Sequence, residues 1–175
     1  MLARMDGRDD AEAVLIAGPY GTGKTSVLEE IAEICEERAI RYGAIDLDWL
    51  AWFDAGGGDH DAGVPVMLRN VEAVVANYHE AGVRRFALAG AMEPTDEGAL
   101  RSTLAMPLAV VRLTLPLDEI ERRLSVSVTT GRQADIEIAR HWIAEKRDEG
   151  VGDVTIENDR PVRDVALEIV TWLGW

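Results

Sequence analysis

Cysteine is almost missing from this chain: Cys35 stands alone, which excludes an internal disulfide and fits a reducing, cytoplasmic compartment. Positive charge is scarce too. Against 32 Asp and Glu there are 18 Lys and Arg, giving a formal net charge of −14 and a pI near 4.6. A surface of that sign repels polyanions, so neither nucleic acid nor an anionic membrane is expected as a partner. An anionic small substrate would need a local basic site. Long apolar runs are lacking; none reaches the ~20 residues that cross a bilayer. Residues 1–11 are short and charged, unlike a signal peptide. No repeat, low-complexity tract or linker divides the sequence, so one domain over residues 1–175 is expected.

What is present is concentrated early. Gly18-Pro19-Tyr20-Gly21-Thr22-Gly23-Lys24-Thr25 fills the pattern GxxxxGK[ST] at every fixed position, and Ser26 follows it. The apolar stretch 13–17 before it suits a buried parallel strand. Behind it, Val27, Leu28, Ile31, Ile34 and Cys35 recur along one face of a helical pattern. Strand, glycine loop and helix together present backbone N–H groups and a helix N-terminus to phosphate oxygens. In such a loop Lys24 reaches the β- and γ-phosphates, and the Thr25 hydroxyl lies on Mg²⁺. Cys35, on the apolar side of that helix, reads as core.

Short apolar runs then alternate with longer amphipathic ones, the signature of a parallel α/β sheet. Strands are expected at 40–47, 85–90, 108–115 and 154–156. Helices are expected at 66–81 (with Gly82 as C-terminal cap), 96–104, 116–126, 133–149 and 161–173, and Thr129-Thr130-Gly131 breaks the pattern between two of them. Residues 55–63 form a glycine-rich loop. Its Asp59-His60-Asp61 reads as solvated, because no second ligand cluster accompanies it.

Further absences sort the classes of phosphate-loop protein. No Asn-Lys-x-Asp guanine motif occurs; the nearest string, Glu145-Lys146-Arg147-Asp148, lacks the Asn and lies in a helical pattern. The third strand ends in Ala89-Gly90-Ala91, where motor and switch ATPases carry a carboxylate for the Mg²⁺ shell. The acidic pair closes strand two instead, as Asp46 and Asp48.

On the phosphate loop, the Asp46-x-Asp48 pair, an arginine-bearing segment after strand four and the turn Ile156-Glu157-Asn158-Asp159-Arg160-Pro161-Val162, the chain resembles the small-molecule kinases of the nucleoside-monophosphate-kinase-like group. It is most similar to the branch of shikimate, gluconate and adenylylsulfate kinases and antibiotic phosphotransferases. The resemblance implies an α/β fold, a P-loop NTPase three-layer sandwich whose five-stranded parallel sheet has the order 2-3-1-4-5, with a small lid around residues 122–140. It implies ATP- and Mg²⁺-dependent transfer of the γ-phosphoryl group to a hydroxyl of a small molecule. Asp46 then supports the metal with Thr25, and Asp48 faces the acceptor hydroxyl. Lys24 and Arg132, with Arg123 and Arg122 behind them, neutralise the phosphoryl group. Asn158, Asp159, Pro161 and Val162 line the adenine, and the region after strand two holds the acceptor.

Each assignment has a plainer alternative. Asp46 caps the helix that follows it. Arg132 is a solvated arginine, and Arg122 and Arg123 pair with Glu119 and Glu121, at least one of them at the surface only. Trp49, Trp52 and Phe53 wall an acceptor pocket, or at least one of them packs in the core. Arg69 meets an anionic acceptor group or a surface carboxylate. Trp142, Trp172 and Trp175 are expected to pack helices. The chain departs from shikimate kinases in carrying Gly90-Ala91-Met92 where they have three glycines, and residues 125–130 hold no arginine. The competing functions are a nucleotide-binding regulatory or ATPase module without a small acceptor, and a nucleoside monophosphate kinase. The first gains if the aromatic group after Asp48 is buried.

Overall fold

The computed structural model describes residues 10–54, 63–126 and 132–175, with the side chains of 132 and 133 left aside. In chain order the elements are β1 (Glu12–Ala17), α1 (Lys24–Glu37), β2 (Tyr42–Asp46), α2 (Leu47–Leu50), α3 (Gly63–Glu80), β3 (Arg85–Gly90), α4 (Pro94–Leu104), β4 (Leu108–Thr114), α5 (Leu117–Ser125), α6 (Arg132–Ala144), β5 (Val154–Glu157) and α7 (Val162–Leu173). The five strands form one sheet in the order β2-β3-β1-β4-β5, every pair parallel. That is the order the resemblance implies.

The continuous apolar runs of the central strands are explained by burial on both faces. Alternate residues of β1 go to opposite layers. Leu15 joins Phe86, Leu88 and Val110 beneath α3 and α4, whereas Val14 and Ile16 join Ala87, Val111 and Leu113 beneath α1 and α7. Val27, Leu28, Ile31, Ile34 and Cys35 are all buried in the second layer, as the helical spacing requires. Ion pairs from Arg163 to Glu30 (2.7 Å) and Glu37 (2.6 Å) tie α7 to α1 across the surface.

Chain reversals follow local chemistry. Gly82 ends α3 at φ +96°, its amide bonding the His79 carbonyl at 3.0 Å while the Val83 amide bonds that of Tyr78. The helix expected at 133–149 stops earlier, at Ala144. Lys146 turns left-handed at φ +53°, and the carboxylate of Asp148 folds inward to Arg112 Nε at 2.8 Å. Trp142 and Trp175 are buried as expected, but Trp172 is half exposed. No described helix is long and apolar enough to cross a membrane.

In this strand order β1 lies between β3 and β4, and the chain passes from one side of β1 to the other. Ligands of open α/β sheets bind at the carboxyl ends of strands at such a switch point. The glycine loop stands there, between β1 and α1.

Candidate functional site

The loop depends on glycine at three places. Gly18, Gly21 and Gly23 have φ of +140°, +82° and +90°. A Cβ on Gly18 would meet the Leu113 carbonyl oxygen at 2.5 Å, and one on Gly23 would meet Asn158 Nδ2 at 2.7 Å. The loop thus packs its backbone directly on β4 and on the turn after β5. Left-handed residues next to right-handed ones turn successive N–H groups into one concavity. Gly23 is also the N-cap of α1 and offers no capping side chain, so the first-turn N–H groups keep their hydrogen-bonding capacity for a ligand.

Inside the loop the Pro19 carbonyl collects two side-chain donors, besides the Thr22 amide at 3.4 Å. The hydroxyl of buried Thr22 reaches it at 2.8 Å and Lys24 Nζ at 3.1 Å. Lys24 is itself buried and lies 5.0 Å from the centroid of the Tyr20 ring. Burial lowers its pKa, while the carboxylates of Asp48, Asp46 and Asp148 oppose that shift. The Tyr20 hydroxyl is pushed up to about 12, by burial first and then by the charge of Asp48. Lys24 is therefore a desolvated amine that donates to the Pro19 carbonyl.

Asp46 caps the helix that follows it and also meets Thr25. Its Oδ1 accepts from the Asp48 amide at 3.0 Å, capping α2, and its Oδ2 accepts from the Thr25 hydroxyl at 2.9 Å. Thr25 and Asp46 form an oxygen pair at the mouth of the loop. That donor set suits Mg²⁺, which binds through few protein oxygens and keeps waters.

Asp48 reaches solvent as a residue, yet the surroundings of its carboxyl are crowded. Burial raises its pKa and Asp46 adds to the rise; the Lys24 ammonium and a hydrogen bond with the Ala91 backbone pull it back. A carboxyl raised by burial beside a cation in a cleft is a recurrent feature of functional sites.

The arginines separate. Arg123 comes to the loop: its Nη1 lies 3.7 Å from where a Gly23 Cβ would stand, and its Nη2 donates to the Asn158 carbonyl at 2.9 Å. Arg122 turns outward into a bidentate pair with Glu119, both contacts 2.7 Å. Hydrogen bonds from Arg122 and Arg123 lower Glu119 to about 2. Arg140 pairs with Glu121 and Glu137. Arg132 opens α6, but its side chain lies outside the described residues, as do Thr129-Thr130-Gly131 and Asp59-His60-Asp61.

Of the turn after β5, Asn158 is the structural member. It is fully buried, and its Nδ2 donates to the Thr22 carbonyl at 2.7 Å. Asp159 and Pro161 are exposed, and Val162 is half-buried at the start of α7.

One expectation after strand two is overturned. Trp49, Trp52 and Phe53 are 67%, 74% and 43% exposed, so none packs in the core. With only one helical turn in α2, the chain leaves the sheet edge before these rings can reach it. Trp49 and Trp52 instead lean on each other, ring centroids 4.8 Å apart. Arg69 is exposed and has no ion-pair partner among the described residues. The Thr22 hydroxyl, the Pro19 carbonyl and the Arg112–Asp148 pair carried no signal in the sequence.

Solved structures share this architecture from end to end. A sugar kinase from Janibacter sp. HTCC2649 superposes at a TM-score of 0.69, with 18% identity over 94% of this chain and 95% of the other. The fold is that of phosphate-loop small-molecule kinases. The APS kinase of Mycobacterium tuberculosis, solved with AMPPNP and APS, gives a TM-score of 0.66 and 22% identity over 95% and 99% of the two chains. Shikimate kinase from Acinetobacter baumannii, solved with shikimate, gives 0.57 and 20% over 95% and 94%. No family sequence model and no curated protein matches the chain.

Proposed function

We propose that this protein is an ATP- and Mg²⁺-dependent phosphotransferase that moves the γ-phosphoryl group to a hydroxyl of a small molecule. One observation carries the reading: Thr25, Asp46, Asp48 and the buried Lys24 converge beside a glycine loop on a kinase fold. The loop backbone from Gly18 to Thr25, with Tyr20, Thr22 and Ser26, would hold the phosphates. The turn with Asn158, Asp159, Pro161 and Val162 would border the base. Thr25 and Asp46 would hold Mg²⁺, which when bound supplies Lewis-acid neutralisation of phosphate charge.

Lys24 exchanges the Pro19 carbonyl for phosphate oxygen, a stronger charge-assisted partner. Asp48 takes the proton of the acceptor hydroxyl as that oxygen bonds to phosphorus and the bond to the β–γ bridging oxygen breaks. Arg123, beside Gly23, and Arg132, within a lid around 122–140, would neutralise the transferring group. The exposed Trp49, Trp52 and Phe53 would wall the acceptor side, which favours a small acceptor over a regulatory module without one.

The test is ATP turnover with and without a panel of hydroxylated acceptors and nucleoside monophosphates. Stimulation by a hydroxylated acceptor, lost in Asp48→Asn, is the expected outcome. Turnover that no acceptor stimulates would overturn the reading in favour of an ATPase or regulatory module.

A further inference from the structure

Carboxylates outnumber bases in this chain, and most described arginines have one as partner. Four have no Asp or Glu partner among the described residues: Arg38, which donates to the Trp175 backbone oxygen instead, Arg41, Arg69 and Arg84. Three of these four gather at one place, the amino-terminal end of the sheet. Arg38 ends α1, Arg41 precedes β2 and Arg84 precedes β3.

The sheet register brings two of them side by side. Tyr42 pairs with Arg85, so Arg41 and Arg84 stand at the same level one residue earlier on adjacent strands. Like charges placed in this way destabilise a sheet. Neither is neutralised: Arg84 Nη1 donates only to the carbonyls of His79 (3.0 Å) and Val83 (2.8 Å), and Arg41 has no hydrogen-bond partner among the described residues. Glu12, the nearby acid, is engaged by Arg85 at 3.0 Å and by the Trp175 indole at 2.7 Å.

A cleft of about 690 Å³ opens at this point, lined by Arg41, Arg84 and Arg85 together with Ile40 and Trp175; Asp10 is its one carboxylate side chain among the described residues. Its volume falls within the range of small-molecule sites, far above what an inorganic ion fills. It lies at the strand ends opposite the glycine loop, so it is no part of the site described above.

We propose that this cleft binds a small phosphomonoester, its phosphate held between Arg41 and Arg84 and its apolar body against Ile40 and Trp175. Two guanidinium groups lining one cleft match a phosphate dianion in charge, whereas a carboxylate is satisfied by one. The proposal does not depend on the phosphotransferase reading.

The test is titration calorimetry of the full chain with phenyl phosphate in a Lys24→Ala background, which removes the glycine loop as a competing anion site. Saturable binding is expected, weakened about tenfold by Arg41→Ala and more by adding Arg84→Gln. Arg41 has no partner to lose, so Arg41→Ala folds even if the second substitution does not. Absence of saturable binding, or binding untouched by Arg41→Ala, overturns the proposal. Equally tight binding of phenylacetate overturns the phosphate assignment. Concentration-dependent self-association abolished by Arg41→Glu, with no phosphate effect, would make the cleft a protein contact and overturn it as well.

Discussion

Gly23→Ala tests how far the loop geometry rests on one residue. The substitution places a side chain at φ +90°, where the left-handed region costs an L-residue about 1–2 kcal/mol. Its Cβ also arrives 2.7 Å from Asn158 Nδ2. That nitrogen cannot yield freely, because it donates to the buried Thr22 carbonyl at 2.7 Å. Displacing it strands a buried acceptor, at about 1–3 kcal/mol. The total is about 2–5 kcal/mol, which at ~2–4 °C per kcal/mol for a chain of this size lowers the melting temperature by roughly 4–20 °C. Gly98→Ala is the control, since a Cβ there, within α4, meets nothing within 4 Å. It should stabilise by about 0.5–1 kcal/mol through helix propensity alone. Thermal and urea unfolding of both variants, alone and combined with Asn158→Ala, gives the answer. In the Asn158→Ala background Gly23→Ala should cost only the φ strain, so the two effects fall short of adding. Gly23→Ala within about 0.5 kcal/mol of the parent, or strict additivity with Asn158→Ala, refutes the reasoning.

Four other outcomes follow from the site and its surroundings. Asp48→Asn should cut acceptor-dependent turnover about 10²–10⁴-fold while leaving nucleotide affinity in place. The same variant should be more stable than the parent at neutral pH, because the native carboxyl has a raised pKa and must be ionised against burial. That gain disappears as the pH falls through the raised pKa, where the parent carboxyl becomes neutral; a gain that grows on acidification would contradict the sign. Trp49→Ala and Trp52→Ala, at rings 67% and 74% exposed, should change stability by less than about 0.5 kcal/mol and raise the acceptor KM instead. A large fall in melting temperature would return those rings to the core. Asp148→Ala should cost about 2–3 kcal/mol in urea unfolding, since it strips Arg112 of its partner; that is below the full cost of a stranded buried charge because the Arg112 side chain is 28% exposed.

What could be read in advance depended on how far apart in sequence the interacting residues lie. Residues 13–17, 85–90 and 108–115 announced strands because parallel strands are buried on both faces and carry unbroken apolar runs. The loop from Gly18 to Thr25 was legible because its donors are contiguous and its backbone demands fixed glycines. Asp46 shows the boundary between the two cases. Its capping bond spans 2 residues and has a local signature, while its bond to Thr25 spans 21 and was reachable only because the loop motif says where Thr25 must stand. No motif fixes Asn158 under Thr22, 136 residues away, or Asp148 against Arg112, 36 away. The overextended helix at 133–149 has the same cause. Its periodicity continues past Ala144, and the force that ends it, a long-range ion pair drawing Asp148 inward, leaves no trace in local spacing. The aromatic residues after Asp48 failed for the opposite reason: hydrophobicity argues for burial wherever a surface exists to receive it, and a four-residue helix at the sheet edge supplies none. The exposed tryptophans beside Asp48 therefore agree with the acceptor wall proposed for them, since folding of the described residues does not bury them.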